Sequence, residues 1–320
     1  MSESNDDLKV FSGRGNPMLA QRICDHLGIP LGKVEVETFP DGELFVRLQD
    51  DVRGRDVFVI QPTCNPVNEN LMELLIFMDC LRRASARRIT AVLPYFGYAR
   101  QDRKDEGRTP ISAKLVSNLI ATAGADRVLA LDLHAAQIQG FFDIPVDHLS
   151  AEPIFTQHFR NGGKAENVVF VSPDVGNVKR ARFYAQRLAC DLAIIDKRRL
   201  DGSKALVENI IGDVEGRDVI MIDDMIATGG TVCEAARICK QRGARAIRAA
   251  ATHAVLAGPA FDRLEKAPFD ELVVTDSIPL VDEAKRRLPG LKQLSCSGLL
   301  GEAIVRIHRN QSVSSLFLKA

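Results

Sequence analysis

The run Asp223-Asp224-Met225-Ile226-Ala227-Thr228-Gly229-Gly230-Thr231 carries the residue types best suited to chemistry. Two adjacent carboxylates close the apolar run DVIMI, and a short Gly/Thr loop then opens a segment of helical period. Backbone N–H groups of such a loop, with the Thr228 and Thr231 hydroxyls, form an anion nest at a helix N-terminus, suited to a phosphate monoester. Paired carboxylates do not help a phosphate; they accept hydrogen bonds from sugar hydroxyls or hold a cation. The combination describes a sugar-phosphate site. A strand-end turn with Thr as helix cap would account for Thr231 but not for two acids beside two glycines.

Other clusters also follow apolar runs. Asp196-Lys197-Arg198-Arg199 opens a polar stretch reaching Lys204, at the end of LAIID. A movable loop there would bring Lys197, and secondarily Arg199, onto transferring phosphates, neutralising charge and excluding water. Arg100 and Gln101 begin a mixed-charge run after a Pro-Tyr-Phe-Gly bend. Bidentate donors at that strand end could hold phosphates, while the rest of the run reads as solvated loop. Asp41-Gly42 between VEVETF and ELFVRL signals a hairpin turn. His134 closes RVLALDL and Asp174 follows VVFVSP; taken alone, the strand-end histidine reads as structural. Gly13-Arg14-Gly15 begins a dinucleotide fingerprint, but Met18 replaces its third glycine, and no Walker loop occurs.

Something must position these residues. Short buried runs (LKVFS 8–12, DVFVIQP 56–62, RITAVLP 88–94, RVLALDL 127–133, NVVFVSP 167–173, LAIID 192–196, DVIMIDD 218–224, AIRAAATHA 246–254) alternate with amphipathic stretches at 16–27, 69–83, 112–123, 177–188 and 231–242. That alternation predicts parallel sheets with helices on both faces, and ligands then bind outside the strands' carboxyl ends. VRGRDVFVI at 52–60 returns as VEGRDVIMI at 214–222. Gly15-Asn16 returns as Gly176-Asn177, and Ala86-Arg87-Arg88-Ile89 as Ala244-Arg245-Ala246-Ile247. One doubly wound unit is therefore duplicated, giving domains 1–150 and 151–320. The joint is expected near 149–163, where Pro153 and Asn161-Gly162-Gly163 break the pattern.

Composition narrows the class. With 46% hydrophobic and 26% charged residues the chain is an ordinary globular protein, long enough for two cores. Lys+Arg 42 against Asp+Glu 42 leaves no cationic surplus for coating nucleic acid. No apolar run reaches membrane-span length and no secretory segment opens the chain, so neither a membrane nor export is expected. Seven scattered cysteines without a CxxC pair point to reduced thiols and a cytoplasmic location.

Phe39–Glu43, Tyr98–Lys104, Asp132–His134 with Gln137–Phe142, Ser172–Asp174 and Asp196–Arg199, together with the Gly/Thr loop, occur in the order found in one family. The sequence resembles the ribose-phosphate diphosphokinases (phosphoribosyl diphosphate synthetases) from about residue 8 to the C-terminus. The resemblance implies two tandem phosphoribosyltransferase-like α/β domains with a protruding β-hairpin. It implies transfer of the diphosphoryl group of Mg-ATP to the 1-hydroxyl of ribose 5-phosphate. Asp41, Gly42 and Glu43 would reach a neighbouring subunit's adenosine, and Arg100 and Gln101 would hold ATP phosphates. His134 and Asp174 would coordinate Mg²⁺, although an imidazole is an uncommon ligand for that ion. Asp223, Asp224, Ala227, Thr228, Gly229, Gly230 and Thr231, with Arg199, would bind ribose 5-phosphate. A homo-oligomer, commonly a hexamer, is implied as well.

One departure is Ala227, where the family often has Asp; any hydrogen bond made by that acid is missing here. A purine phosphoribosyltransferase is the second enzyme reading, disfavoured by the Lys197–Arg199 run and the duplicated length. A non-catalytic regulatory homologue is the third, disfavoured by retention of Lys197, Arg199, His134, Asp174 and both acids.

Overall fold

The computed structural model describes residues 7–104, 106–161, 167–199 and 206–316. The chain forms two compact units. One runs to Ser150 and takes back Ser277–Pro279 and the chain from Ser295; the other holds Ala151–Asp276 and Leu280–Leu294.

The first unit contains β1 (Leu8–Ser12), α1 (Pro17–Leu27), β2 (Val34–Thr38), β3 (Leu44–Leu48), β4 (Asp56–Ile60), α2 (Val67–Arg83), β5 (Arg88–Leu93), α3 (Ser112–Ala123), β6 (Arg127–Leu131) and β7 (Val146–Leu149). Its main sheet has the order β1-β4-β5-β6-β7, parallel throughout. β4 is buried at every position and β1 and β5 at all but one, so they read as unbroken apolar runs. Phe11, Val57, Val59, Ile89 and Ala91 share a core with Leu74, Phe77 and Met78 of α2 and Val116 and Ile120 of α3. Helix α1 starts where the Asn16 side chain accepts from Leu19 N–H at 3.1 Å and Pro17 takes the first turn. β2 and β3 form a separate antiparallel ribbon whose turn uses Gly42 at φ 94.

The second unit contains α4 (Glu152–Asn161), β8 (Val168–Ser172), α5 (Val178–Leu188), β9 (Asp191–Arg199), β10 (Leu206–Ile211), β11 (Asp218–Ile226), α6 (Gly230–Gln241), β12 (Ala246–Ala254), α7 (Ala260–Lys266), β13 (Glu271–Thr275), α8 (Asp282–Arg287) and β14 (Leu291–Leu294). The order is β10-β9-β8-β11-β12-β13-β14, with β10 antiparallel to β9 and the other pairs parallel. The path β8-β11-β12-β13-β14 repeats β1-β4-β5-β6-β7, so the sequence repeat is a repeat of fold. The β9–β10 hairpin occupies the chain position of β2–β3, but it widens the main sheet where its counterpart stands apart.

Two findings refine the sequence reading. The joint falls between Ser150 and Ala151, inside the expected stretch, but α4 (Glu152–Asn161) follows it at once, with Pro153 in its first turn, where the missing N–H costs nothing. The division also departs from 1–150 and 151–320, since α9 (Ser297–His308) follows β14 in the chain but packs on α1 in the first unit. Its Leu300, Ala303 and Ile304 are fully buried. At its end, His308 Nδ1 lies 2.8 Å from the buried Asp56 carboxylate, which also accepts from Arg88, and Arg88 Nη2 donates to Ile307 O at 3.0 Å. α4 makes the reciprocal move: it follows β7 but packs on α5, where Arg160 donates to Arg187 O at 2.8 Å. Among the described residues no helix is long and apolar enough to cross a membrane.

Candidate active site

The sheet of the second unit places the carboxyl ends of β8 and β11 side by side. Asp223 and Asp224 lie near the end of β11, the first partly and the second almost fully buried. Ala227, Thr228 and Gly229 turn the chain, and α6 begins at Gly230. Gly229 is the helix cap, at φ 71, a left-handed backbone that a side chain would strain. No side chain caps α6. The Thr cap considered as the structural explanation is thus absent, and the Gly230, Thr231 and Val232 amides have no partner within the helix. The loop is fixed from behind: Ala227 O accepts from Ala257 N–H at 2.9 Å, and Thr228 O from Arg263 Nη1 at 3.1 Å. A Cβ on Gly230 would stand 3.2 Å from Arg263 Nη1, so glycine lets that guanidinium approach. Burial pushes the nearby Cys233 thiol up to about 11, against Arg263, so it adds no negative charge to the nest at neutral pH.

After β8, Asp174 Oδ1 accepts from Asn177 N–H at 2.9 Å and starts the turn leading into α5. The Asn177 side chain reaches across to Asp223, donating from Nδ2 to Oδ1 at 2.9 Å. One helical turn later, Arg180 Nη1 lies 3.2 Å from Asp223 Oδ1 and 3.3 Å from Asp224 Oδ1. The site therefore joins Asp174, Asn177, Arg180, the acid pair and the Gly/Thr loop within one unit. Burial first, then the adjacent Asp224 side chain, push Asp223 from 3.8 up to about 7, while Arg180 pulls it down.

Asn177 and Arg180 were not expected as site residues. The signal was present: residues three apart on a helix share a face, and parallel β8 and β11 bring that face to the acids. The β9 strand runs further than expected, through Lys197 and Arg199, pairing Lys197 with Glu208 and Arg199 with Leu206. The side chains of Lys197 and Arg199 lie outside the described residues, as does 200–205.

In the first unit, Arg100 and Gln101 line a cleft of about 310 Å³ with Arg103, Glu106, Thr109 and Pro110. Gln101 Oε1 accepts from Ser112 at the start of α3 at 2.6 Å. Asp102 accepts from Gln137 at 2.8 Å, tying this loop to the segment that follows β6, where His134 is exposed. Asp41, Gly42 and Glu43 form the exposed ribbon tip, with Asp41 Oδ1 accepting from Glu43 N–H at 3.2 Å. No hydrogen bond or ion pair links Asp41 or Glu43 to Arg100 or Gln101. The Gly13–Gly15 loop is closed to ligands by its own neighbours: Arg14 N–H donates to Glu73 at 2.6 Å and Gly15 N–H to Gln61 at 3.0 Å.

Residues 8–124 match the family described as the N-terminal domain of ribose phosphate pyrophosphokinase, and 200–318 the phosphoribosyl synthetase-associated domain. A ribose-phosphate pyrophosphokinase of Rhodopirellula baltica is 57% identical over 313 residues, 97% of this chain and 98% of that one. The chain belongs to the ribose-phosphate pyrophosphokinase family. A member from Fusobacterium nucleatum is 53% identical, with 98% of each chain covered. The crystal structure of phosphoribosylpyrophosphate synthetase from Mycobacterium smegmatis superposes with a TM-score of 0.89 at 43% identity, covering 95% of this chain and 99% of that one. Pyrophosphokinase and diphosphokinase name the same reaction, so this is the family the motifs resemble.

Proposed function

We infer that the chain transfers the β,γ-diphosphoryl group of ATP to O1 of ribose 5-phosphate, giving 5-phosphoribosyl 1-diphosphate and AMP. The observation that carries this is the acid pair held beside an uncapped Gly/Thr loop, in a chain alike over its full length to pyrophosphokinases. The 5-phosphate takes the amides of Gly230, Thr231 and Val232 and the Thr228 and Thr231 hydroxyls. Asp223 and Asp224 accept from the ribose hydroxyls and orient the sugar. The loop's grip on phosphate is a backbone property, so it does not need an acid at Ala227.

Arg100 and Gln101 hold the ATP phosphates, and the Asp41–Glu43 tip binds the adenosine of a neighbouring copy in a homo-oligomer. Lys197 and Arg199 stabilise the charge that develops as O1 attacks the β-phosphorus, its proton is lost and AMP leaves. Asp174 suits Mg²⁺: it is a hard oxygen donor whose bonding among the described residues uses Oδ1 only. No three His, Cys, Asp or Glu side chains converge among the described residues. That fits an ion held by one or two side chains plus substrate phosphates and waters. His134 is the second residue assigned to it. When bound, Mg²⁺ supplies charge neutralisation to the diphosphoryl oxygens.

Mixing the protein with ribose 5-phosphate, ATP and Mg²⁺ should yield AMP and 5-phosphoribosyl 1-diphosphate in equal amounts. ADP as the product would overturn the reading. Diphosphate release from a nucleobase and 5-phosphoribosyl 1-diphosphate would establish a phosphoribosyltransferase instead.

A further inference from the structure

Backbone amides that receive a phosphate have to face it, and the carbonyls of the Gly/Thr loop show what turns them. Every carbonyl from Ile226 to Gly229 is taken. Ile226 O accepts from Leu256 N–H at 3.0 Å, Ala227 O from Ala257 N–H at 2.9 Å and Gly229 O from Cys233 N–H at 3.1 Å. Thr228 O accepts from Arg263 Nη1 at 3.1 Å. A trans peptide points its N–H opposite its C=O, so these donors turn the Thr228, Gly229 and Gly230 amides away from themselves. Among the described residues, neither the Thr228 nor the Gly229 N–H has an acceptor. Three of the donors are backbone amides, which no substitution removes. Arg263, on α7, is the side chain among them, and it holds the peptide plane that leads into the cap of α6.

Arg263 also keeps its charge. The acids of its own helix, Asp262 and Glu265, are both held by Arg287 at 2.6 Å, and among the described residues Arg263 makes no ion pair. Its Nη1 lies 3.2 Å from where a Cβ on Gly230 would stand, beside the first residue of α6. A helix N-terminus carries partial positive charge, so a cation there disfavours the empty fold and favours an anion that arrives at the same place.

We propose that Arg263 is a positioning residue for the 5-phosphate: it fixes the Thr228–Gly229 peptide with the Gly229 N–H turned toward the ligand and sets a positive charge behind the loop. The proposal rests on the ribose 5-phosphate reading of that loop and adds to it a residue from a different helix, more than thirty positions away in the chain.

The test compares wild type with Arg263→Met, which removes donor and charge from an exposed side chain. At saturating Mg-ATP, KM for ribose 5-phosphate should rise about tenfold, the loss expected for a charge-assisted hydrogen bond, with kcat and KM for ATP changed by less than about twofold. Titration with ribose 5-phosphate in the presence of Mg²⁺ and an ATP analogue with an uncleavable α,β-bridge should show the same loss. Arg263→Lys, still a cationic donor, should recover most of it. The ligand-free Arg263→Met protein should unfold in urea at a midpoint equal to or above that of wild type, because a cation has left a helix N-terminus. A merely structural arginine would lower the midpoint instead.

An unchanged KM for ribose 5-phosphate in Arg263→Met overturns the proposal, as does a lowered midpoint with both KM values raised alike. Gly229→Ala separates this failure from that of the underlying reading. If it raises KM for ribose 5-phosphate while Arg263→Met does not, only the role of Arg263 falls; if neither variant does, the loop is not the phosphate site and both fall.

Discussion

Replacing Asp223 with Asn should remove a pH dependence that the wild-type fold carries. Burial and the Asp224 side chain push Asp223 from 3.8 up to about 7 in the folded protein, and unfolding abolishes both causes. Between about pH 4 and pH 7 the native state keeps a proton that the unfolded chain has released. This group's contribution to stability is therefore greatest below about pH 4 and is lost as the pH rises to about 7. A rise of about three units corresponds to about 4 kcal/mol. The Asp223 side chain is 24% exposed, so solvent screens part of this. About 2 kcal/mol is the expected loss. Urea denaturation of the ligand-free protein at pH 5 and pH 8, for wild type and Asp223→Asn, isolates the acid pair, because titrating groups away from Asp223 and Asp224 cancel in the double difference. Wild type should lose about 2 kcal/mol more than the variant across that interval. Parallel losses would refute the argument. The same proton must leave before the Asp223 carboxylate can serve, so wild-type kcat/KM for ribose 5-phosphate should rise about tenfold per pH unit below 7 and then level off.

Lys197→Ala should lower kcat by about 10³-fold or more while shifting either KM little, since its task is the charge of the transition state; unchanged turnover would remove it from the mechanism. Arg100→Ala should raise KM for ATP and leave ribose 5-phosphate binding intact, as titration with each ligand would show. Gly229→Ala forces a Cβ into a left-handed backbone at about 1 kcal/mol. It should weaken ribose 5-phosphate binding far more than it lowers the unfolding midpoint. Asp56→Ala strands Arg88 and His308 at the end of α9 and should cost about 3 kcal/mol in chemical denaturation; a loss below about 1 kcal/mol would show that the cluster does not hold the helix.

The chemistry of the second unit was legible because it is local. Asp223 through Thr231 lie in one strand, loop and helix start, and their types and order name a sugar-phosphate site before any contact is known. The buried strands were legible too, because helices cover both faces and leave unbroken apolar runs. The short β7 and β14 are interrupted by polar residues and carry no such signal. Arg180 and Asn177 were hidden for another reason: their partners lie more than forty residues away, and only the pairing of β8 with β11 brings them together. The destination of α9 was equally hidden, since periodicity marks a buried face without saying what buries it. The same holds for the Asp41–Glu43 tip, whose role rests on family likeness and not on any contact within its own chain.

The crossed helices bear on how such a chain could have arisen. A single copy of the unit, ending after its last strand and helix, would have sent that helix away from its own sheet. Two separate copies trading helices would be a domain-swapped dimer. Joining them end to end by gene duplication gives the arrangement seen, with α4 and α9 as the traded arms. Such a fusion cannot be undone by cutting at the repeat boundary: the first piece would lack the arm that seats His308 against Asp56, and the second would carry it uncovered. The pieces should be recoverable only when made together, as complementing fragments rather than as two small proteins.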